Sequence, residues 1–281
     1  MVNVICERRT AISRQLGREL GCSNSTANIM RHILKFCAQG RVSRPPLSAL
    51  NMEKRLQFCQ EHPNARLHTG FLDEKWWHTF RDSKKIYRRS TSPHIYEHPP
   101  CHVPKAMLNA VISRDAPGGK VGFWPVAEQR QYVRNSRYHQ RGDPYWRNLS
   151  CDGAFFCRTL DVDILPACEE HGIRILQMDN ARPHIVNNLD ASIAEVMARH
   201  PTVQLLLQPP QSPDLNPLDE GIFKVLADKV ELKNPTTRHE LHEAVLQSWE
   251  ELSERKIRGC IQHQIRVRRQ IVDCRGGNRF V

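Results

Sequence analysis

The sequence predicts an α/β fold: a mixed sheet with helices on its faces, preceded by a small helix-turn-helix segment. Three observations carry this. Strand-like runs follow one another through the first half of the main segment, and strand and helix patterns then alternate. The chain has 281 residues, 40% of them hydrophobic, enough for one sizeable core and a small accessory unit. A strongly basic first fifth carries two helical patterns split by a glycine.

The N-terminal pattern is "TAISRQLGRELGCSNSTANIMRHILKF". Thr10 can cap a first helix, in which Ile12, Leu16 and Leu20 form one apolar stripe. Gly21 supplies the turn and Ser23 can cap a second helix with Ala27, Met30 and Leu34 inward. That phase turns Asn24, Ser25, Asn28, Arg31, His32 and Lys35 outward, a polar and basic face without an acid. A helix entering the major groove of DNA needs such a face; a helical hairpin that only packs on the main domain is the plainer account. The Pro45-Pro46 stretch with flanking Arg reads as an extended linker, so the expected units are 1–45 and 46–281.

In the main segment a short helix is expected from about Ser48 to His62. Ala65–Phe80 alternates and is aromatic-rich, hence a strand; "IYRRS", "KAMLNAVIS" and "KVGFWPVA" read as three more. "LDVDILPACEEHG" is a helix, "IRILQMDN" an interior strand, "NLDASIAEVMARH" a helix and "TVQLLLQPP" a strand. A helix then opens with Asn216 as N-cap and Pro217 at its first position. Thr237 with Glu240 makes a capping box, ahead of a core stripe of Leu241, Val245, Trp249 and Leu252. "QHQIRVRRQ" is a basic helix near the C-terminus.

Charge bears on function. Lys+Arg 41 against Asp+Glu 30 gives +11, and the first 60 residues hold ten basic and three acidic side chains. This balance suits a polyanionic partner, usually nucleic acid. Lys84–Ser90 and Arg130–Asn148 interleave basic residues with aromatic ones, and read as loops that hold phosphates or as solvated surface. No run approaches the roughly 18 apolar residues of a membrane span, and no secretory signal is visible, so an intracellular protein is expected. The ten cysteines are scattered without a CxxC pair, which reads as free thiols. His98, Cys101 and His102 lack the second ligand pair that a structural zinc requires.

Three acids stand out by position. Asp73 lies in the first strand, Asp179 ends a later one and Asp219 sits in a first helical turn. Carboxylates delivered from two strands and a helix start can converge, and three together repel unless cations neutralise them. Oxygen ligands of this kind suit Mg²⁺ or Mn²⁺. Two such ions roughly 4 Å apart stabilise both apical oxygens of an in-line phosphoryl transfer. Each acid also has a simpler account: a strand-end residue, an Asx turn at Asp179-Asn180, or a helix-start acid favoured by the macrodipole.

The blocks around these acids, "LDEKWW", "QMDNARPHI" and "QPPQSPDLNPLDEGIF", together resemble the mariner branch of the Tc/mariner transposases. The resemblance runs from about Thr10 to the "GGN" near the C-terminus. It implies a ribonuclease-H-like catalytic domain with Asp73, Asp179 and Asp219 as catalytic and metal-binding residues for two Mg²⁺ or Mn²⁺ ions. Glu74, Asn180, His184 and Glu220 fall at supporting positions; a plain structural role for His184 is an equal alternative. Between Asp179 and Asp219 lie 39 residues, which resembles the mariner-like elements typical of plants and some other eukaryotes. Asp214, at the spacing of 34 found in many mariner proteins, belongs to the Ser-Pro-Asp-Leu-Asn-Pro loop and is not expected to be the third ligand. The implied activity is cut-and-paste DNA transposition, acting as a homodimer on double-stranded DNA (terminal inverted repeats and target), in the nucleus if the host is eukaryotic. Family members carry two helix-turn-helix units before the core; this chain has residues for one, matching the second, so N-terminal truncation is expected. An inactive or domesticated transposase-derived DNA-binding protein is the competing reading.

Overall fold

The computed structural model describes residues 23, 46–63, 68–79, 103–180 and 189–279. The predicted helix-turn-helix face (Asn24, Ser25, Asn28, Arg31 and Lys35), His184, Lys84–Ser90 and the His98/Cys101/His102 cluster lie outside these residues. The chain divides into two compact units, Met1–Pro45 and Pro46–Val281. The second carries the architecture that follows.

Its first element is α1, Ala49–Glu61, capped by the Ser48 hydroxyl, which accepts from Asn51 N. β1, Thr69–His78, lies at the centre of a five-stranded sheet. β2, Lys105–Ser113, pairs antiparallel with β1, and β3, Lys120–Pro125, pairs antiparallel with β2. On the other side β6, Ile175–Met178, and β7, Gln204–Leu207, add in parallel, giving the order β3-β2-β1-β6-β7. β4, Ala127–Gln131, and β5, Pro144–Asn148, form a separate antiparallel hairpin. The sequence reading took Arg130–Asn148 for loop. These strands are short and polar, and give little alternation to read; the hairpin is held instead by ring contacts, Tyr132 on Tyr145 and Trp146 on His242.

Strand alternation divides the core. Phe71, Leu108, Ala110 and Ile112 point to one face and pack against α5 (Phe223–Lys233), α6 (Arg238–Glu250) and α7 (Glu254–Asp273). Leu72, Val111, Leu176 and Met178 point to the other, against α2 (Gly153–Thr159), α3 (Leu165–Glu170) and α4 (Leu189–Arg199). A π turn, Leu160–Ile164, joins α2 to α3. Pro166 has no N–H to give to Val162 O, and the widened turn takes up the break. The predicted capping box is present, with Glu240 N donating to the Thr237 hydroxyl, and Leu241, Val245, Trp249 and Leu252 are all buried.

One expected element differs in detail. The helix after Asn216 opens as a π turn, Leu218–Ile222, before α5 begins. Asn216 still serves its first N–H, because Leu218 N donates to Asn216 Oδ1 (3.1 Å). Among the described residues no helix is long and apolar enough to cross a membrane. Cys59, Cys151, Cys157, Cys168, Cys260 and Cys274 are free thiols.

Candidate active site

Register sets the first two acids. β1 and β6 are parallel, with Thr69 opposite Ile175, Gly70 opposite Leu176 and Phe71 opposite Gln177. Continued two residues, this brings Asp73 level with Asp179, on strands whose usual separation is about 4.8 Å. β6 ends at Met178, so Asp179 stands at the C-terminal edge of the sheet. β1 runs on, because its other edge stays paired with β2 as far as His78.

A buried side chain brings up the third acid. Asn216 Nδ2 donates to Leu72 O (3.0 Å), the carbonyl directly before Asp73, while its Oδ1 caps the turn that carries Asp219. One asparagine thus ties the Asp219 turn to β1. The loop before it is equally fixed. Gln177 Nε2 donates to Leu215 O (2.8 Å) and Gln208 Oε1 (3.2 Å), and Asn180 Nδ2 donates to Gln208 O (2.6 Å). Arg268, buried on α7, donates to Gln177 Oε1 (2.8 Å) and to His62 O (2.6 Å). Burial alone lowers its pKa to about 10.

The electrostatics follow from this gathering. Burial pushes Asp73 up to about 9, helped by the negative charges of Asp219, Glu74 and Asp179 and opposed by the Glu74 N–H donated to Oδ1. Asp219 is also raised, first by burial, then by Asp179 and Glu74; Lys75 and a hydrogen bond shared with Asp73 pull it down. Two carboxyl groups share a hydrogen bond only when one carries a proton. Apart from that shared proton, Asp73 Oδ2 is buried and meets no donor. Among the described residues no group of three His, Cys, Asp or Glu side chains stands ready to hold a metal ion. The raised proton affinity of Asp73 has burial as its first cause, and the neighbouring carboxylates add to it.

Asp73, Asp179, Asp219 and Glu74 therefore act on one another, and Asn180 steadies the loop behind them. Glu220 faces a different neighbourhood, adding to the burial that raises the Cys260 thiol on α7. Asp214 is taken by Arg55 in a buried two-pronged ion pair, 2.8 Å at each contact. Sequence reading missed Lys75. Its ammonium lies 5.4 Å from the Phe223 ring centre and 5.8 Å from that of Trp77, and it is the cation that acts most on Asp219. The signal was present in "LDEKWW": two residues beyond Asp73 on a strand is the same face.

No protein-family model and no curated protein matches the sequence. Solved structures do match in fold. The catalytic domain of the Mos1 mariner transposase aligns with a TM-score of 0.57 and 15% identity, over 84% of this chain and 99% of that one. The Mos1 strand transfer complex aligns at 0.66 and 18%, over 99% of this chain and 77% of that chain. The Mos1 paired end complex with Mn aligns at 0.64 and 19%, over 98% and 77%. The mixed sheet with its flanking helices matches the fold of the Mos1 catalytic domain, in keeping with the ribonuclease-H-like class expected from the sequence.

Proposed function

We propose that the chain is a mariner-type DNA transposase of the cut-and-paste kind, with Asp73, Asp179 and Asp219 as its catalytic and metal-binding residues. The observation that carries this is the mutual action of three carboxylates, delivered from β1, the end of β6 and the turn before α5, around a buried Asp73 oxygen that lacks a donor. Such a group fits hard divalent cations, Mg²⁺ or Mn²⁺, whose oxygen preference matches the donor set. Asp73, Asp179 and Asp219 would hold such ions, which would supply charge for the entering and leaving oxygens of an in-line phosphoryl transfer.

The chain's own residues supply position. Asn216 and Gln177 hold the third acid against β1 and β6, so its carboxylate needs no ordering at the moment of reaction. Lys75 offsets part of the repulsion at Asp219. The reaction is hydrolysis of phosphodiester bonds at the element ends, followed by attack of the freed 3′-hydroxyl on a target phosphodiester, which releases a target 3′-oxygen. Mos1 has been solved in paired-end and strand transfer complexes and with Mg and with Mn. On the same reading this chain acts on duplex DNA, terminal repeats and target, as a homodimer, and in the nucleus if the host is eukaryotic. The helix-turn-helix residues Asn24, Ser25, Asn28, Arg31 and Lys35 read the repeat, with 1–45 as the DNA-binding unit and 46–281 as the catalytic one.

The test is metal-dependent nicking or joining of a duplex that carries the element's own end. Asp73→Asn, Asp179→Asn and Asp219→Asn should each lower the rate by orders of magnitude. Loss in Glu220→Gln with retention in Asp219→Asn would move the third ligand by one residue. No metal-dependent cleavage by the unaltered chain would favour the inactive DNA-binding reading.

A further inference from the structure

α7 buries one face and leaves the other without an assigned role. Ile257, Ile261, Gln264, Val267, Arg268 and Ile271 point inward. At 100° per residue, Arg255, Arg258, Gly259, Gln262, Arg266 and Arg269 fall within one stripe on the opposite side, and all are exposed. Arg258 is paired with Glu254 (2.6 Å). Arg255, Arg266 and Arg269 form no ion pair with a described residue. The stripe from Arg255 to Arg269 is about 21 Å long at 1.5 Å per residue. Like charges at this spacing on one helix face oppose helix formation, so an uncompensated row suits an anion from outside.

A groove of about 430 Å³ flanks the N-terminal half of this stripe, between α7 and the turn that carries Asp219. Gly221, Lys256, Cys260 and His263 help to line it, and Glu220 is the one acid among its described lining residues. Gly259 sits at its edge, where a Cβ would meet nothing within 4 Å. Internal packing therefore does not require glycine there. In mid-helix glycine costs about 1 kcal/mol relative to alanine, and what it provides is close approach by another chain.

We propose that this face of α7 is a phosphate rail that holds the backbone of duplex DNA as it runs past the carboxylate site. The rail rests on the reading of the chain as a DNA-cutting enzyme, and adds the surface that carries the substrate. One DNA strand presents a phosphate every 3.4 Å of axis, so the stripe spans roughly six phosphates. Its near end lies beside Glu220 and Gly221, next to Asp219. Arginine suits the task because its planar fork binds phosphate oxygens two at a time.

The test uses the full chain and a labelled duplex of about 30 base pairs without divalent metal, titrated across salt. Replacing Arg255, Arg266 and Arg269 together by Gln should reduce the slope of log affinity against log salt by about 3. Between 50 and 200 mM salt the unaltered chain should lose about 40-fold more affinity than the variant does. The triple Arg→Lys variant should keep most of the slope, and thermal melting should show both variants folded. A slope unchanged in the Gln variant, with the unaltered chain binding, overturns the rail. Nicking by the unaltered chain with Mg²⁺, and by Asp73→Asn, is read in parallel. A lowered slope without any metal-dependent nicking supports the rail and overturns the enzyme reading. Intact nicking with an unchanged slope overturns the rail alone. A chain that binds no duplex overturns both.

Discussion

Asp73 shows what a single residue contributes. It is buried among carboxylates, one of its oxygens has no donor, and its charged form is strongly disfavoured. In the metal-free protein the burial of this carboxyl group, with the neighbouring carboxylates adding, opposes folding. Asp73→Asn keeps the shape and removes the charge, so it should raise the metal-free melting temperature by about 2–4 °C, corresponding to about 1 kcal/mol in a chain of this size. The gain in melting temperature produced by Mn²⁺ in the unaltered chain should vanish in the variant. An unchanged metal-free melting point would show that burying the Asp73 carboxyl group carries no such cost. His242 makes the opposite case, a titratable group far from the carboxylates. It is fully buried, stacks on Trp146 at 4.8 Å and donates from Nε2 to Asn148 Oδ1 as a neutral ring. Burial, with Arg238 and His239 adding, lowers its pKa from 6.5 to about 4. A folded-state value below the unfolded one means that the unfolded chain binds the extra proton. Its neutral-ring stability is therefore present above pH 6.5 and lost as pH falls from about 6.5 towards 4. The loss is up to about 3 kcal/mol. His242→Gln should be less acid-sensitive than the unaltered chain across that window, measured by urea unfolding at each pH. Parallel curves would show that the ring does not titrate there.

Elements explain which parts of the fold could be read from the sequence. β2 spans Lys105–Ser113, the run "KAMLNAVIS" read as a strand, and "IRILQM" reads as interior because β6 lies between β1 and β7. The three acids were legible because each ends or interrupts a regular pattern. The hairpin β4–β5 was not, since Glu128, Gln129 and Arg130 give no apolar alternation. α7 was legible as a basic helix, but its composition does not single out Arg268, which is buried against Gln177. Its partner lies 91 residues away, and pairing at that range leaves no local trace. The end of α7 is similar. Gly276 has φ 83°, and a Cβ there would come within 1.8 Å of Met52 O on α1. No L side chain fits both the conformation and the contact. Gly276→Ala should therefore destabilise the fold by more than about 2 kcal/mol in chemical unfolding. A cost under about 0.5 kcal/mol would mean that α1 and the C-terminal turn separate easily.

At the scale of the whole molecule, a buried ion pair connects the start of the Pro46–Val281 unit, the loop before the third acid and the C-terminal turn. Arg55 on α1 donates to both carboxylate oxygens of Asp214 and, from Nε, to Gly276 O (3.0 Å). Gln264 on α7 donates to Asp214 O (3.0 Å). Three segments far apart in sequence are fixed about one guanidinium, which explains why Asp214 is buried although it lies in a loop. It also separates Asp214 from Asp219 chemically. Asp214 is neutralised within the fold, whereas the charges about Asp219 include two further aspartates. The two replacements should therefore have opposite signatures. Asp214→Asn leaves a buried guanidinium without its counter-charge and should cost about 3–5 kcal/mol in unfolding. At a temperature where it is still folded, its melting point should rise with Mn²⁺ as that of the unaltered chain does. Asp219→Asn should leave the metal-free melting point near or above that of the unaltered chain and abolish the Mn²⁺ gain. The paired replacement Arg55→Met with Asp214→Leu should recover much of the stability lost by Asp214→Asn, since it removes both charges at once. If Asp214→Asn folded normally and lost the Mn²⁺ gain while Asp219→Asn kept it, the third ligand would be Asp214, and the spacing of 34 rather than 39 residues would define the site.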